Sequence, residues 1–278
     1  LPLPPSPSGT STIKLKASHL IMLDSLTMQT TQIFNCVTCP YPNPDASVRL
    51  FCFPYAGGSS LIFRPWLRSL PTTVEVCPIE LPGRGLQMRL TPFSRLQPLI
   101  STLASALLPY LDKPFAFFGH SLGGLVCFEL ARQLRREHNL SPVHLFVSAR
   151  CAPHIPSRKP AIHALPDTEF IEELRRLNGT PDSVLQNTEL MELLIPILRA
   201  DFAVLETYVY AQELPLECPI TVFGGLQDKE VGLQELEGWR SHTIAAYNLQ
   251  MFRGDHFFIQ SEQLLLLQTL AQHLHALT

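Results

Sequence analysis

The sequence predicts an α/β fold with a mainly parallel central sheet flanked by helices. Three observations carry that prediction. Short apolar runs recur along the chain, helical repeats separate them, and Pro or Gly closes most of the runs. Val48–Phe53 is apolar and stops at Pro54, so it reads as a buried strand. Residues 74–79 form a second such run, 115–118 a third ending in Gly119, and 143–148 a fourth. Residues 220–223 run into Gly224-Gly225, and 248–252 lead to Gly254. Between them, 96–110 place Leu96, Leu99, Leu103 and Leu107 at helical spacing, and 122–136 do the same with Leu122, Leu125, Leu130 and Leu134. Residues 264–277 supply a closing helix.

One block breaks the alternation. Residues 151–212 lack a good strand and carry two helical patterns, which reads as an inserted helical lid; an ordinary helical subdomain without a gating role is the alternative. The first pattern, 167–178, takes Asp167 as N-cap and Gly179 as C-cap. The second, 188–210, is expected to kink at Pro196.

Composition narrows the class. The chain has 278 residues, a formal net charge of −3, 46% hydrophobic and 16% charged residues. The hydrophobic content excludes a disordered chain, and the slightly acidic balance excludes a general nucleic-acid binder, which would carry a basic footprint. The first 46 residues hold 7 of the 25 prolines, so residues 1–40 are expected to be a flexible extension outside the fold and 41–278 the folded domain. Met22 and Met28 are both candidate starts. No segment promises a membrane span: 96–111 is interrupted by Pro98 and Pro109. Seven cysteines at irregular spacing argue against a disulfide framework and for a reducing, cytoplasmic setting. Cys36 and Cys39 form a lone C-x-x-C without the second pair a zinc site needs, so no metal is expected.

Gly119-His120-Ser121-Leu122-Gly123 matches G-x-S-x-G between an expected strand and an expected helix, the setting of a nucleophile elbow. A serine hydroxyl needs a base to remove its proton. His256, in Gly254-Asp255-His256-Phe257 just after the last strand, stands where that base belongs. The acid is expected in the loop after the strand at 220–223, where Asp228 lies. Asp255 adjoins the histidine but adjacent residues in an extended segment point apart, and Asp201 reads as a polar position of the lid. An oxyanion hole would use the backbone N–H of Leu122 and one from the loop Phe53-Pro54-Tyr55-Ala56-Gly57-Gly58.

The run Cys52-Phe53-Pro54-Tyr55-Ala56-Gly57-Gly58-Ser59, the turn Leu81-Pro82-Gly83-Arg84-Gly85, the Ser121 motif and Gly254-Asp255-His256-Phe257-Phe258 together resemble the type II thioesterases. These are stand-alone thioesterases of polyketide and non-ribosomal peptide synthesis with an α/β-hydrolase fold. The resemblance runs from about Cys39 to the C-terminus and favours Met28 as the start. It implies Ser121, His256 and Asp228 as a catalytic triad, with Ala56 and Leu122 as the oxyanion amides. It implies hydrolysis of acyl thioesters on the phosphopantetheine arm of acyl or peptidyl carrier protein domains, clearing stalled or misprimed groups. No cofactor is implied, since phosphopantetheine belongs to the substrate, and a monomer is expected. A medium-chain fatty acyl thioesterase, a carboxylesterase and a non-catalytic carrier-binding scaffold are the competing readings. Phe202, Leu205 and Tyr208 share a face of the second lid pattern and are expected either to line the acyl channel or simply to pack the lid. Arg84 is expected to be a solvated loop residue, with a carrier surface as the alternative contact.

Overall fold

The computed structural model describes residues 1–2, 35–39, 42–157 and 159–277; the expected extension and both candidate starts lie outside them apart from these ends. The apolar runs form β1 (Val48–Phe53), β2 (Val74–Pro78), β3 (Phe115–His120), β4 (His144–Ser148), β5 (Ile220–Gly225) and β6 (Tyr247–Phe252). They lie in the order β2-β1-β3-β4-β5-β6, with every neighbouring pair parallel. Strands β1 to β5 are buried on both faces almost throughout, as a sheet covered by helices requires. The edge strand β6 is only partly buried.

The helices are α1 (Leu96–Leu107), α2 (Leu122–His138), α3 (Asp167–Leu177), α4 (Asp182–Leu185), α5 (Thr188–Glu206), α6 (Leu233–Glu237), α7 (Phe258–Ser261) and α8 (Gln263–His275). A 3₁₀ stretch, Ser60–Arg68, follows β1 and buries Phe63 and Trp66; its Pro65 hid it from the helical pattern. Trp66 meets Phe118 edge-on at 4.8 Å, and Phe118 in turn meets Phe63 and Phe223. Such edge contacts add to the burial of the rings themselves.

The larger of two compact units begins at Asn35, so residues 35–39 belong with it. Cys36 is fully buried, Val37 pairs antiparallel with Ile79, and the Thr38 amide donates to the Pro78 carbonyl at 2.9 Å. A short apolar segment that hydrogen-bonds beyond the end of β2 has a place in the core despite its polar, Pro-rich neighbours.

Within the insertion, Phe170, Leu174, Leu185, Met191 and Leu198 form a cluster of their own. Its helix ends differ from expectation. Pro166 is the N-cap of α3, and Asp167 opens the helix, where its carboxylate faces the helix dipole and accepts from Arg199 Nη2 at 2.6 Å. Asn178, at φ 58°, takes the left-handed C-cap in place of Gly179, as asparagine can. Gly179 has another reason to be small: a Cβ there would stand 2.5 Å from the ring of Phe257. Helix α5 runs through Pro196 and stops at Glu206, short of the expected 210. There the Glu206 carboxylate accepts the amides of Ile162 and His163 at 2.9 and 3.1 Å.

Candidate active site

The site grows from the turn between β3 and α2. Ser121 sits there at φ 53°, ψ −110°, a conformation rare for a residue with a side chain, and its amide donates to the Ser148 carbonyl at 2.7 Å. Both motif glycines are forced by close approach. A Cβ on Gly119 would lie 2.1 Å from the Gly123 carbonyl oxygen, and one on Gly123 would lie 2.2 Å from that of Phe53. The strained turn thus stands Ser121 at the carboxyl end of the sheet, at the start of α2.

His256 Nε2 lies 3.0 Å from Ser121 Oγ, and His256 Nδ1 lies 2.8 Å from Asp228 Oδ2. A carboxylate accepts, so Nδ1 carries the proton and Nε2 is left to accept from the serine. Asp228 follows β5, and its side chain is only 1% exposed. Its other oxygen accepts the amides of Glu230 and Val231 at 2.7 and 3.2 Å, which fixes the carboxylate's orientation. Asp255 is engaged elsewhere, accepting from the Phe257 amide at 2.8 Å and from Asn178 Nδ2 at 3.2 Å.

His120 was missed as a member of the site. It is fully buried between the neighbours of the serine and the base: Nδ1 is 2.8 Å from Ser148 Oγ, and Nε2 is 2.9 Å from the His256 carbonyl oxygen. That carbonyl can only accept, so Nε2 is the donor and Nδ1 accepts from the Ser148 hydroxyl. Burial, and then the nearby His256, hold the His120 pKa well below the ordinary value, so its ring stays neutral and adds no charge beside His256. Its place inside the motif gave no signal, because the motif leaves that position free.

Arg84 departs from its expected solvated role. It is 6% exposed and forms a bidentate pair with Asp201 of α5, at 2.7 and 2.8 Å. The same carboxylate accepts the Gly57 amide at 2.7 Å. Neither Arg84 nor Asp201 is a surface position.

A cavity of about 550 Å³ opens beside Ser121 and His256. Ala56 lines it, together with Tyr55, Leu174, Leu198 and all three expected channel residues, Phe202, Leu205 and Tyr208. Leu122 is buried as the first residue of α2. Phe202 also packs edge-on against Phe170 at 5.9 Å, so it serves both the cavity and the insertion's own cluster. Tyr208 lies beyond the end of α5, off the helical face expected for it, and its hydroxyl donates to Glu129 at 2.7 Å. Burial, then the Glu129 charge, push its pKa up, so the phenol stays protonated.

All seven cysteines are free thiols, and burial pushes the Cys36 pKa up to about 12. Among the described residues no group of three or more His, Cys, Asp or Glu side chains converges to hold a metal ion. Nor is any helix among them long and apolar enough to cross a membrane.

Residues 48–278 match the family model described as "Thioesterase domain". Linear gramicidin dehydrogenase LgrE of Brevibacillus parabrevis is 48% identical over 227 residues, covering 81% of this chain and 86% of that protein. Gramicidin S biosynthesis protein GrsT of Aneurinibacillus migulanus is 47% identical over 232 residues, covering 84% and 91%. The structure of the type II thioesterase BorB from the borrelidin biosynthetic cluster superposes with a TM-score of 0.79 at 33% identity, covering 86% and 97%. One of these names is a dehydrogenase's, yet the present sequence contains no G-x-G-x-x-G dinucleotide fingerprint, and its β1 runs into Pro54-Tyr55-Ala56-Gly57-Gly58. Family match, sequence relatives and fold agree with a serine at a sheet-to-helix turn: the chain belongs to the thioesterase family, hydrolases of the α/β-hydrolase superfamily.

Proposed function

We propose that this protein frees acyl groups from the phosphopantetheine arm of acyl or peptidyl carrier proteins, clearing stalled or misprimed chains from a polyketide or non-ribosomal peptide synthase. The observation that carries the reading is the Ser121–His256–Asp228 relay opening onto an apolar-walled cavity under the helical insertion. Relatives and structural neighbours named for such biosynthetic pathways support the carrier-bound substrate.

Ser121 Oγ attacks the thioester carbonyl carbon as its proton passes to His256 Nε2. Asp228 steadies the imidazolium without taking its proton. The amides of Ala56 and Leu122 receive the oxyanion. Collapse breaks the C–S bond, and the pantetheine sulfur leaves with the proton from His256. Water, deprotonated by the same nitrogen, then attacks the acyl-serine, and the acid departs as the proton returns to Ser121. No cofactor enters these steps, and the free thiols suit a reducing, cytoplasmic setting.

The test is a panel of carrier proteins loaded with different acyl groups, assayed beside acyl-CoA, a simple oxygen ester and a medium-chain acyl carrier of fatty acid synthesis. Faster release from carriers bearing aberrant short groups than from the others supports the reading. Preference for oxygen esters would make it a carboxylesterase, and preference for medium-chain fatty acyl groups a fatty-acid chain terminator.

A further inference from the structure

Asp201 reaches from the helical insertion into the loop that carries Ala56. It is 4% exposed. Its Oδ1 accepts from Arg84 Nη2 at 2.7 Å, while its Oδ2 accepts both Arg84 Nη1 at 2.8 Å and the Gly57 amide at 2.7 Å. Arg84 Nη1 also donates to the Gly58 carbonyl at 3.0 Å. Three segments therefore converge on one carboxylate: α5, the turn at Arg84 and the loop after β1.

That loop is a tight turn. The Gly58 amide donates back to the Tyr55 carbonyl at 2.9 Å, leaving Ala56 and Gly57 as its central residues. Gly57 has φ 76°, the positive value that a type II turn requires at its third position. Type I and type II turns differ in which way the central peptide faces. The Asp201 bond to the Gly57 N–H holds that peptide in one of the two. Helix α5 also presses on the same residue: a Cβ on Gly57 would meet Leu198 Cδ2 at 2.5 Å. So α5 both grips the turn and packs against it, and Ala56 in the same turn lines the cavity.

A buried bidentate ion pair is a poor way to gain stability alone, since well-packed apolar residues in its place are often as stable or more so. Here it has a further task available. We propose that Asp201, held by Arg84, is a positioning residue: it couples the seating of α5 to the conformation of the turn that carries the Ala56 amide. The oxyanion site is then complete only while the insertion is docked. This rests on the reading of Ala56 as an oxyanion donor.

Two variants test it. Arg84→Met/Asp201→Leu replaces the pair with apolar volume, and Asp201→Asn keeps the shape and one acceptor without the charge. Each is assayed for kcat and KM on an acyl-carrier thioester, for Ki of an acyl trifluoromethyl ketone, which forms an oxyanion on Ser121, and for Kd of a methylene analogue lacking the carbonyl. Circular dichroism and a urea midpoint check the fold. The double variant is expected to lose about 100-fold in kcat, the scale of one oxyanion donor. KM and the methylene analogue's Kd should stay within about 3-fold, and the trifluoromethyl ketone's Ki should rise in step with the loss of kcat. Asp201→Asn is expected to show the same pattern at about 10-fold, and it carries the test if the double variant does not fold. Unchanged kcat and Ki in a folded variant would overturn the coupling. Equal weakening of both analogues would overturn it too, by showing a general collapse of the cavity. If the unaltered protein neither hydrolyses the thioester nor binds the ketone covalently, the thioesterase mechanism itself fails, before any variant is considered.

Discussion

Against the sheet, Phe63 and Trp66 of the 3₁₀ stretch pack on Phe118 of β3, which meets Phe223 of β5, in strands that are buried on both faces. In the insertion, α3 to α5 bury a small cluster centred on Phe170, Leu174 and Leu198. The groups proposed to react divide accordingly. Ser121, Asp228 and His256 all follow strand ends, whereas Phe202 and Leu205 line the cavity from helix α5. On the proposed mechanism, bond-making geometry sits on the region with the larger core, and the shape presented to the acyl group on the region with the smaller, and so softer, one.

The hardest test of that division is Ser121→Ala. It is expected to cut kcat/KM by about 10⁴-fold or more while the thermal midpoint stays close to that of the unaltered protein. Substantial residual turnover would show that the chemistry does not start at the sheet. Next comes the choice of carboxylate. Asp228→Asn is expected to lower kcat by about 10⁴-fold, because the imidazole loses its orienting partner, while Asp255→Asn should change it by less than about 10-fold. Steady-state kinetics of the two variants on one thioester decide it; the opposite ranking would move the acid to the neighbouring loop.

On the softer side, Phe202→Ala is expected to shift the preference between long and short acyl carriers by about 10- to 100-fold while sparing turnover of the shortest. Loss on all chain lengths alike would mean that Phe202 serves the lid cluster alone. The smallest effect concerns acid. Burial, and then His273, lower the His144 pKa from 6.5 to about 3, and its Nε2 lies 2.9 Å from Thr221 Oγ1 between β4 and β5. Its folded pKa is depressed, so below pH 6.5 the unfolded chain binds the extra proton. This residue's contribution is therefore complete above 6.5 and is lost as pH falls toward about 3. The slope is at most about 1.4 kcal/mol per pH unit. Urea midpoints between pH 7 and 5 should fall less steeply for His144→Gln.

How much of this could be read from the sequence depended on whether a residue's partners were near or far. The strands were legible because burial on both faces leaves plain apolar runs. Ser121 was legible because a strained turn demands glycines at fixed spacing. Polar residues that find partners far along the chain were not. Asp201 and Arg84 are 117 positions apart, and His120 reaches a carbonyl 136 positions away. Arg84 reads as a solvated loop residue, Asp201 as a polar position of the lid and His120 as a free position of the motif until the fold brings their partners. Helix ends failed for a related reason: α5 stops where Glu206 bonds to Ile162 and His163, a contact from outside its own periodicity.

Strand order has a consequence for how the chain is made. β4 pairs with β3 on one side, but its other neighbour, β5, is synthesised only after the whole insertion. During that interval His144–Ser148, an apolar strand, offers an unpaired hydrogen-bonding edge. Parallel pairing of distant segments is slow in any case. The nascent chain is thus most prone to self-association after β3, α2 and β4 have emerged and before β5 arrives. An insertion that folds promptly on its own small core shortens that exposure, so mutations in its cluster should lower the yield of folded protein more than its stability once folded.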